Sequence, residues 1–410
     1  MKSTAVIGGG ISGVAFALIA KRLGLQIQCE VYEAGSRESQ TGGCVILAPN
    51  ALRVLNVAGV LEKVSSVGYS LRTTEFYDKC GTHIVSRKIG DQEEFGEDTL
   101  LIRRSDLVGA LYESADEAGV TVHFAKRLAK IKEEDDSMKL AFEDGSFVTV
   151  DFVVGADGIH SKVREFIVDS PVVPNYSGFV YLAGFCDAEE TDPMLVEQSL
   201  SVAFGEIGFF GWASYRADSG KGKIYWYCYI KERSEIDRKE LRNQGDEWFS
   251  QYVLNAHDGW KIPVEAFIRE TTEFCVTNIY DLDTISDWNR SSAVVIGDAA
   301  HALNPIAGQG AATALEDAET LVRNLVRSKG DVPAALDDFE LLRKSRVRRI
   351  REGARRSNKL LGERSIGGLR LIRNLAYKML NTFVPNRVLN QDFYYSVKDE
   401  EEAMFGAGRK

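Results

Sequence analysis

No stretch of this 410-residue chain reaches the roughly 18 consecutive apolar residues of a membrane span, so a transmembrane helix is not expected. Cysteine is sparse and scattered: the six residues (29, 44, 80, 186, 228 and 275) contain no C-x-x-C pair. Neither a zinc site nor a disulfide framework is suggested, and a reducing, cytoplasmic setting is the expectation. Positive charge is also short, with 50 Lys and Arg against 60 Asp and Glu for a net −10, which argues against a nucleic-acid binder. After Lys2 an apolar run over residues 5–20 resembles a secretory signal, but Gly8, Gly9, Gly10, Ser12 and Gly13 break it and no cleavage region follows. What remains is an ordinary globular composition, 44% hydrophobic and 27% charged, long enough for two or three domains.

Glycine is plentiful where the chain begins. Residues 4–7 form a short apolar strand run, and Gly8, Gly9, Gly10, Ile11, Ser12 and Gly13 supply G-x-G-x-x-G. Residues 14–23 read as an apolar helix, and residues 26–32 alternate like a second strand that ends at Glu33. This is the whole context of a dinucleotide fingerprint, including an acid about 20 positions past the last glycine. Gly8 permits the tight turn, Gly10 lets backbone approach a pyrophosphate, and Gly13 lets helix pack on strand. The unpaired N–H groups at the helix start, around Ile11 and Ser12, favour phosphate. Glu33 can accept from a ribose hydroxyl. The competing reading is a glycine-rich turn in another α/β protein.

Two further strand runs decide between cofactors. Residues 151–164 end a strand in Gly155, Ala156, Asp157 and Gly158. Residues 293–312 run through Gly297, Asp298, Ala299, Ala300 and His301 to Pro305, Gly308, Gln309, Gly310 and Ala311 at the start of a helix. Ahead of both, Arg104, Ser105, Asp106 and Leu107 precede a helix, and Pro49, Asn50 and Ala51 follow the second strand. In their order along the chain, over residues 1–345, these motifs make the sequence resemble the single-component FAD-dependent aromatic hydroxylases of the p-hydroxybenzoate hydroxylase fold. It matches their G-A-D-G-x-x-S-x-V-R, their G-D-A-A-H with P-x-x-G-Q-G-A, their R-x-D-L and their P-N-A.

The resemblance implies bound FAD, with NAD(P)H as a transient co-substrate. The cofactor residues it implies are Gly8, Gly10, Ile11, Ser12, Gly13 and Glu33, then Gly43, Cys44, Arg104, Leu128 and Asp157, then Asp298, Pro305, Gly308, Gly310 and Ala311. Physical roles accompany several of these. Asp298 ends a buried strand run, where its carboxylate can reach a ribityl hydroxyl or a backbone nest, although a helix N-cap is the plainer role. Gly308, Gly310 and Ala311 open a helix whose N–H groups can face negative charge. Arg104 can reach the pyrophosphate as a charge-assisted donor, against the plainer reading of a solvated arginine. Asp157 serves the cofactor loop or the strand-end turn, and His301 and His160 read as loop residues rather than bases. Three departures from the family stand out. Asn304 replaces the first of two prolines, Cys44 and Ile46 occupy a glycine-rich stretch, and Ala183 sits where many members carry an arginine, so no catalytic arginine is carried over.

No second G-x-G-x-x-G follows a strand, since Gly205, Gly208 and Gly211 are three apart, and a dedicated NAD(P) domain is not expected. Residues 204–229 hold nine aromatics where the chain average of 10% gives about three. Strand periodicity in residues 223–230 places Tyr225, Tyr227 and Tyr229 on one face and Trp226 and Cys228 on the other. One face would pack on helices and the other roof an apolar pocket, with Tyr225 the candidate catalytic residue; most of these aromatics read as core.

Between residues 340 and 373 twelve basic residues stand against three acidic ones, a local +9 that leaves −19 for the rest. Ile372, Leu375, Ala376, Met379, Leu380 and Phe383 then recur at helical spacing. A solvated helix whose apolar stripe caps the substrate end of the fold is favoured over one lying on an anionic membrane.

These observations give an α/β fold: a Rossmann-like FAD-binding domain with an inserted, mainly antiparallel β-sheet substrate domain and C-terminal helices. The expected division is 1–75, 100–170 and 276–345 for the FAD-binding domain, 76–99 and 171–275 for the substrate domain, and 346–410 for the C-terminal segment. The expected function is an NAD(P)H- and O₂-dependent FAD monooxygenase that hydroxylates or epoxidises an aromatic or enone small molecule through a flavin C4a-hydroperoxide. It would be a monomer or homodimer with no metal. A reductase, a halogenase and a flavin-free binding protein are the alternatives. A halogenase would carry W-x-W-x-I-P, and here Asp258 stands in place of the first Trp, ahead of Trp260, Ile262 and Pro263.

Overall fold

The computed structural model describes residues 3–38, 42–187, 194–216, 222–305, 308–362 and 367–406. At its centre lies a six-stranded sheet in the order Asn289–Arg290, Ala293–Val295, Phe152–Gly155, Ser3–Ile7, Gln28–Tyr32, Thr121–His123. All pairings are parallel except that of the first, short strand. A parallel strand covered on both faces must be apolar throughout, and Ala5, Val6, Val153, Val154, Val294 and Val295 are all fully buried. The helices Ile11–Arg22, Arg104–Ala118 and Gly310–Arg327 pack around the sheet.

Register matters for function. Ile7 pairs with Tyr32 and with Gly155, and Gly155 pairs with Val295, so four strands end flush along one edge. Two helices start from that edge, which makes a crevice at the carboxyl ends of the strands, the place where open α/β sheets bind ligands.

A second sheet has seven strands in the order Thr271–Asp281, Asn175–Asp187, Gly222–Lys231, Gly208–Arg216, Ser199–Gly205, Thr73–Asp78, His83–Lys88. Every pairing is antiparallel but that of Ser199–Gly205 with Thr73–Asp78. The expected alternation is present: Ile224, Trp226 and Cys228 pack beneath the helices Asp246–Ala256 and Val264–Arg269, while Tyr225 and Tyr227 join a separate cluster with Ala183 and Phe185. A three-stranded sheet of Cys44–Leu47, Thr99–Arg103 and Tyr69–Leu71 carries the chain between the two large sheets.

The C-terminal helices Val332–Gly362 and Gly367–Phe383 depart from expectation in two ways. The basic run does not simply make a basic surface, because Arg343 and Arg346 turn inward and are buried. Nor does the apolar stripe cap the fold. Leu375, Met379 and Phe383 are 59%, 51% and 76% exposed. The face turned to the protein presents Asn374, which donates to Asp78, and Tyr377, whose ring meets Phe76 edge-on. The side chains of Ile372 and Leu380 lie outside the described residues. No described helix is long and apolar enough to cross a membrane.

Candidate active site

The crevice is built from backbone before side chains enter. Gly8 adopts φ 105°, and a Cβ there would sit 2.2 Å from the Ala156 carbonyl oxygen; one on Gly13 would sit 2.0 Å from that of Gly8. Strand, turn and helix are therefore pressed together as close as glycine allows. Gly10 is the exception, with nothing within 4 Å of its ideal Cβ position. It faces open space at the N-terminus of Ile11–Arg22, and no side chain caps that helix, so its first N–H groups point outward unpaired. Gly310–Arg327 begins the same way, with Gln309 at the N-cap, no capping side chain and no acid in its first turn. The two helix starts meet at Gly297, whose Cβ would lie 2.9 Å from Ser12 Oγ and 3.2 Å from Ala314 Cβ.

Asp298 sits at this meeting point. It is ringed by protein yet accessible from the crevice, and among the described residues it has no hydrogen-bond partner. Burial pushes its carboxyl up, against the opposing pull of His301 and Arg104. Glu33 is fixed by its own backbone: Oε2 accepts from the Gly9 N–H at 2.7 Å and Oε1 from the Gly35 N–H at 2.6 Å. Two uncapped helix starts suit a pyrophosphate, and an unpartnered carboxylate beside them suits a hydroxyl donor such as ribityl. The residues thus fit FAD: Gly10, Ile11, Ser12, Gly310 and Ala311 by backbone, Glu33 and Asp298 by carboxylate, and Arg104 from the side. Pro305 and Gly308 are exposed beside the crevice, while the intervening residues 306–307 lie outside those described.

Two further expected members are engaged within the protein. Asp157 accepts from Ser161 Oγ with one oxygen and from the Lys162 and Val163 N–H groups with the other, holding the start of the helix Lys162–Ile167. Of the two roles expected for it, the turn is the one seen. Leu128 is buried at the start of the strand Leu128–Glu134 and packs in the main core. His301 is structural as expected, its Nε2 lying 2.6 Å from Asp317 Oδ2.

Behind the crevice lies a buried ionic network invisible in any motif. Asp317 also accepts from the Gly297 N–H at 2.8 Å and from Arg343 Nε at 2.7 Å. Its neighbour Glu316 accepts from Arg343, from Arg346 and from Asn50 Nδ2 at 2.8 Å, and the same Asn50 amide donates to Gln309 Oε1 at 2.9 Å. Burial alone would push both carboxyls up, but the guanidiniums and His301 outweigh it and hold both below their ordinary range. The consecutive acids therefore brace opposite sides of the cofactor crevice. The P-N-A resemblance flagged Asn50 without its role; Glu316, Asp317, Arg343 and Arg346 were missed.

Beyond the crevice the second sheet closes over Gly43. A Cβ on Gly43 would lie 2.8 Å from Tyr181 Oη and 3.0 Å from Tyr225 Oη, and these two hydroxyls are 2.5 Å apart. Arg104 donates its backbone N–H to the Gly43 carbonyl, which ties this loop to the crevice. Cys44 pairs with Arg103 in the linking sheet, and burial pushes its thiol up. Tyr225 thus faces the expected side, and Tyr181 is its unforeseen partner. The signal for Tyr181 was its place two residues from Ala183 on a strand, hence on the same face.

A model of the FAD binding domain family matches residues 1–354. Among curated relatives, a 3-amino-4-hydroxybenzoate 2-monooxygenase of Streptomyces platensis is 31% identical, with 86% of each chain covered. The 6-hydroxynicotinate 3-monooxygenase of Bordetella bronchiseptica is 28% identical over 84% of this chain and 89% of its own. Among solved structures, Klebsiella pneumoniae HpxO complexed with FAD and uric acid superposes with a TM-score of 0.79 at 22% identity, covering 96% of both chains. A salicylate hydroxylase substrate complex gives the same TM-score at 21% identity, with 100% of this chain and 99% of the other covered. The match spans the crevice, the linking sheet and the overlying sheet alike, and the chain belongs to the FAD-binding family of aromatic-ring monooxygenases as an FAD-dependent oxidoreductase.

Proposed function

We propose that the protein uses NAD(P)H and O₂ to place one oxygen atom on an aromatic or conjugated small molecule bound beside the cofactor crevice, beneath the sheet that carries Tyr181 and Tyr225. The observation that carries this reading is the contact of Gly43 with both tyrosine hydroxyls, which puts a roof of polar-tipped aromatics beside the cofactor crevice. Relatives named for hydroxynicotinate and aminohydroxybenzoate support an aromatic substrate. Bound FAD supplies the redox chemistry with NAD(P)H and O₂.

The chain's own groups bind, orient and shield. Helix-start N–H groups and Arg104 hold the pyrophosphate, Glu33 and Asp298 accept from sugar and ribityl hydroxyls, and the start of Gly310–Arg327 offers positive potential to charge that develops nearby. Tyr225 and Tyr181 stay protonated in the folded protein, since burial pushes both hydroxyls well above the ordinary phenol range, and so act as hydrogen-bonding positioners. The aromatic cluster around them excludes water from the reacting edge. We assign residues 1–75, 100–170 and 276–345 to the cofactor domain, 76–99 and 171–275 to the substrate domain, and 346–410 to the bracing C-terminal segment. Incubation of the holoenzyme with NAD(P)H, candidate aromatics and ¹⁸O₂ tests the proposal: the new product oxygen should carry the label, and product oxygen drawn from water would refute it.

A further inference from the structure

A cavity of about 450 Å³ lies between the loop of residues 282–288 and the helix Val332–Gly362. That is room for one small molecule. Leu341 and Val347 from the helix, with the rings of Trp288 and His301, give it apolar walls, and Arg348 stands exposed at its edge. Among the described residues, none of those assigned to the cofactor lines it. The Trp288 backbone N–H donates to Glu340 Oε2 at 2.9 Å, and the two rings lie 5.2 Å apart, tilted by 34°. Both side chains are buried, and each has one ring nitrogen with no hydrogen-bond partner among the described residues: Trp288 Nε1 and His301 Nδ1.

These two nitrogens differ in kind. The indole N–H can only donate. In His301 the other nitrogen, Nε2, lies 2.6 Å from Asp317 Oδ2. Against burial, His301 and Arg343 hold the Asp317 carboxyl below its ordinary range, so it accepts as a carboxylate and Nε2 carries the proton. In the neutral imidazole Nδ1 is then a lone pair. One wall of the cavity thus carries an unmet donor and an unmet acceptor on neighbouring rings, both shielded from bulk water. Native interiors leave few polar atoms unpaired, and a bound group is one of the reasons they do.

We propose that this cavity is a second small-molecule site, separate from the flavin, and that it takes a planar aromatic lactam. The ring carbonyl accepts from Trp288 Nε1, the adjacent ring N–H donates to His301 Nδ1, and the ring plane lies against Leu341 and Val347. A lactam edge sets one acceptor beside one donor in a single plane, which matches the pair. A carboxylate offers acceptors alone and would bring its charge against the His301 lone pair. This site is independent of the reaction carried out at the flavin.

The probes are 2-quinolone and 1-methyl-2-quinolone, titrated by calorimetry into the FAD-loaded enzyme while the flavin absorbance is followed in parallel. 2-Quinolone should show a binding event that leaves the flavin absorbance unchanged, and the N-methyl compound, which has lost the donor, should bind there about tenfold or more weakly. Leu341 is 60% exposed, so Leu341→Trp should fold, keep its FAD and fill the cavity, removing that event. Any binding beside the flavin would still register in the absorbance of this variant. A crystal of the holoenzyme grown with 2-quinolone should show the lactam edge on Trp288 Nε1 and His301 Nδ1. The proposal is overturned by an absence of 2-quinolone binding, by equal affinity for the N-methyl compound, or by an event that survives Leu341→Trp. Ordered water alone on the two nitrogens in that crystal would overturn it as well.

Discussion

The Arg343 guanidinium meets Asp317 Oδ1 at 2.7 Å and Glu316 Oε2 at 2.8 Å, with none of the three side chains exposed. Two neighbouring carboxylates are neutralised in the interior by one cation and its companion Arg346. Removing a partner from such a set leaves a buried charge uncompensated. Arg343→Met should therefore lower stability by about 3–5 kcal/mol, read from urea denaturation of the holoenzyme. An unchanged midpoint would mean that the network contributes nothing.

Gly10 and Gly13 should separate folding from cofactor capture. Gly13→Ala forces a Cβ onto the Gly8 carbonyl and should abolish soluble expression. Gly10→Ala meets no atom of the protein and sits at φ −74°, so the variant should fold. Its methyl occupies the path of the pyrophosphate, and FAD content after purification should fall at least about tenfold. A yellow, fully loaded Gly10→Ala protein would contradict the placement of the cofactor.

Gly43→Ala should act on the substrate side alone. The added methyl would stand 2.8 Å from Tyr181 Oη and 3.0 Å from Tyr225 Oη and displace the pair. FAD content should match the parent, whereas substrate-stimulated NAD(P)H oxidation should drop about tenfold or more. Equal loss of both would place Gly43 in the cofactor site instead.

His257 should make stability depend on pH outside the active site. Its imidazole is buried between Phe210 and Trp260, bonded through Nδ1 to the Val253 carbonyl oxygen, and burial pushes its pKa down to about 4. The unfolded chain takes up the proton near pH 6.5, so this contribution is present above that value and is lost as pH falls towards 4. It amounts to about 3 kcal/mol across the window. His257→Phe should flatten that part of the stability profile, as followed by thermal melts between pH 7 and 4.

The nucleotide half was legible because its signals are local. A tight turn, a helix start and a strand-end acid occupy adjacent positions, and each position has one physical reason for its residue. Tyr225 was legible as to face, since strand alternation fixes which residues share a side. Two things resisted the same treatment. Charge counting made the run around Arg343 a basic surface, but Glu316 and Asp317 neutralise it from a helix 26 to 30 residues away. Periodicity grouped Leu375, Met379 and Phe383 correctly, yet it says only that they share a face. Which face turns inward was decided by Asn374 and Tyr377 through their contacts with Asp78 and Phe76.

The bracing of the crevice is finished by residues far from it in sequence. Arg346 pairs with Asp392, and Arg343 Nη1 donates to Tyr395 Oη, which in turn donates to Glu400. A ribosome therefore releases the Gly8–Gly13 turn some 380 residues before the last brace of the same crevice is made. A nascent chain that ends short of Asp392 holds the phosphate-binding turn without the struts behind it. The pocket for the flavin thus draws on contacts from opposite ends of the 410 residues, and a truncation before Asp392 should be felt first as loss of bound cofactor.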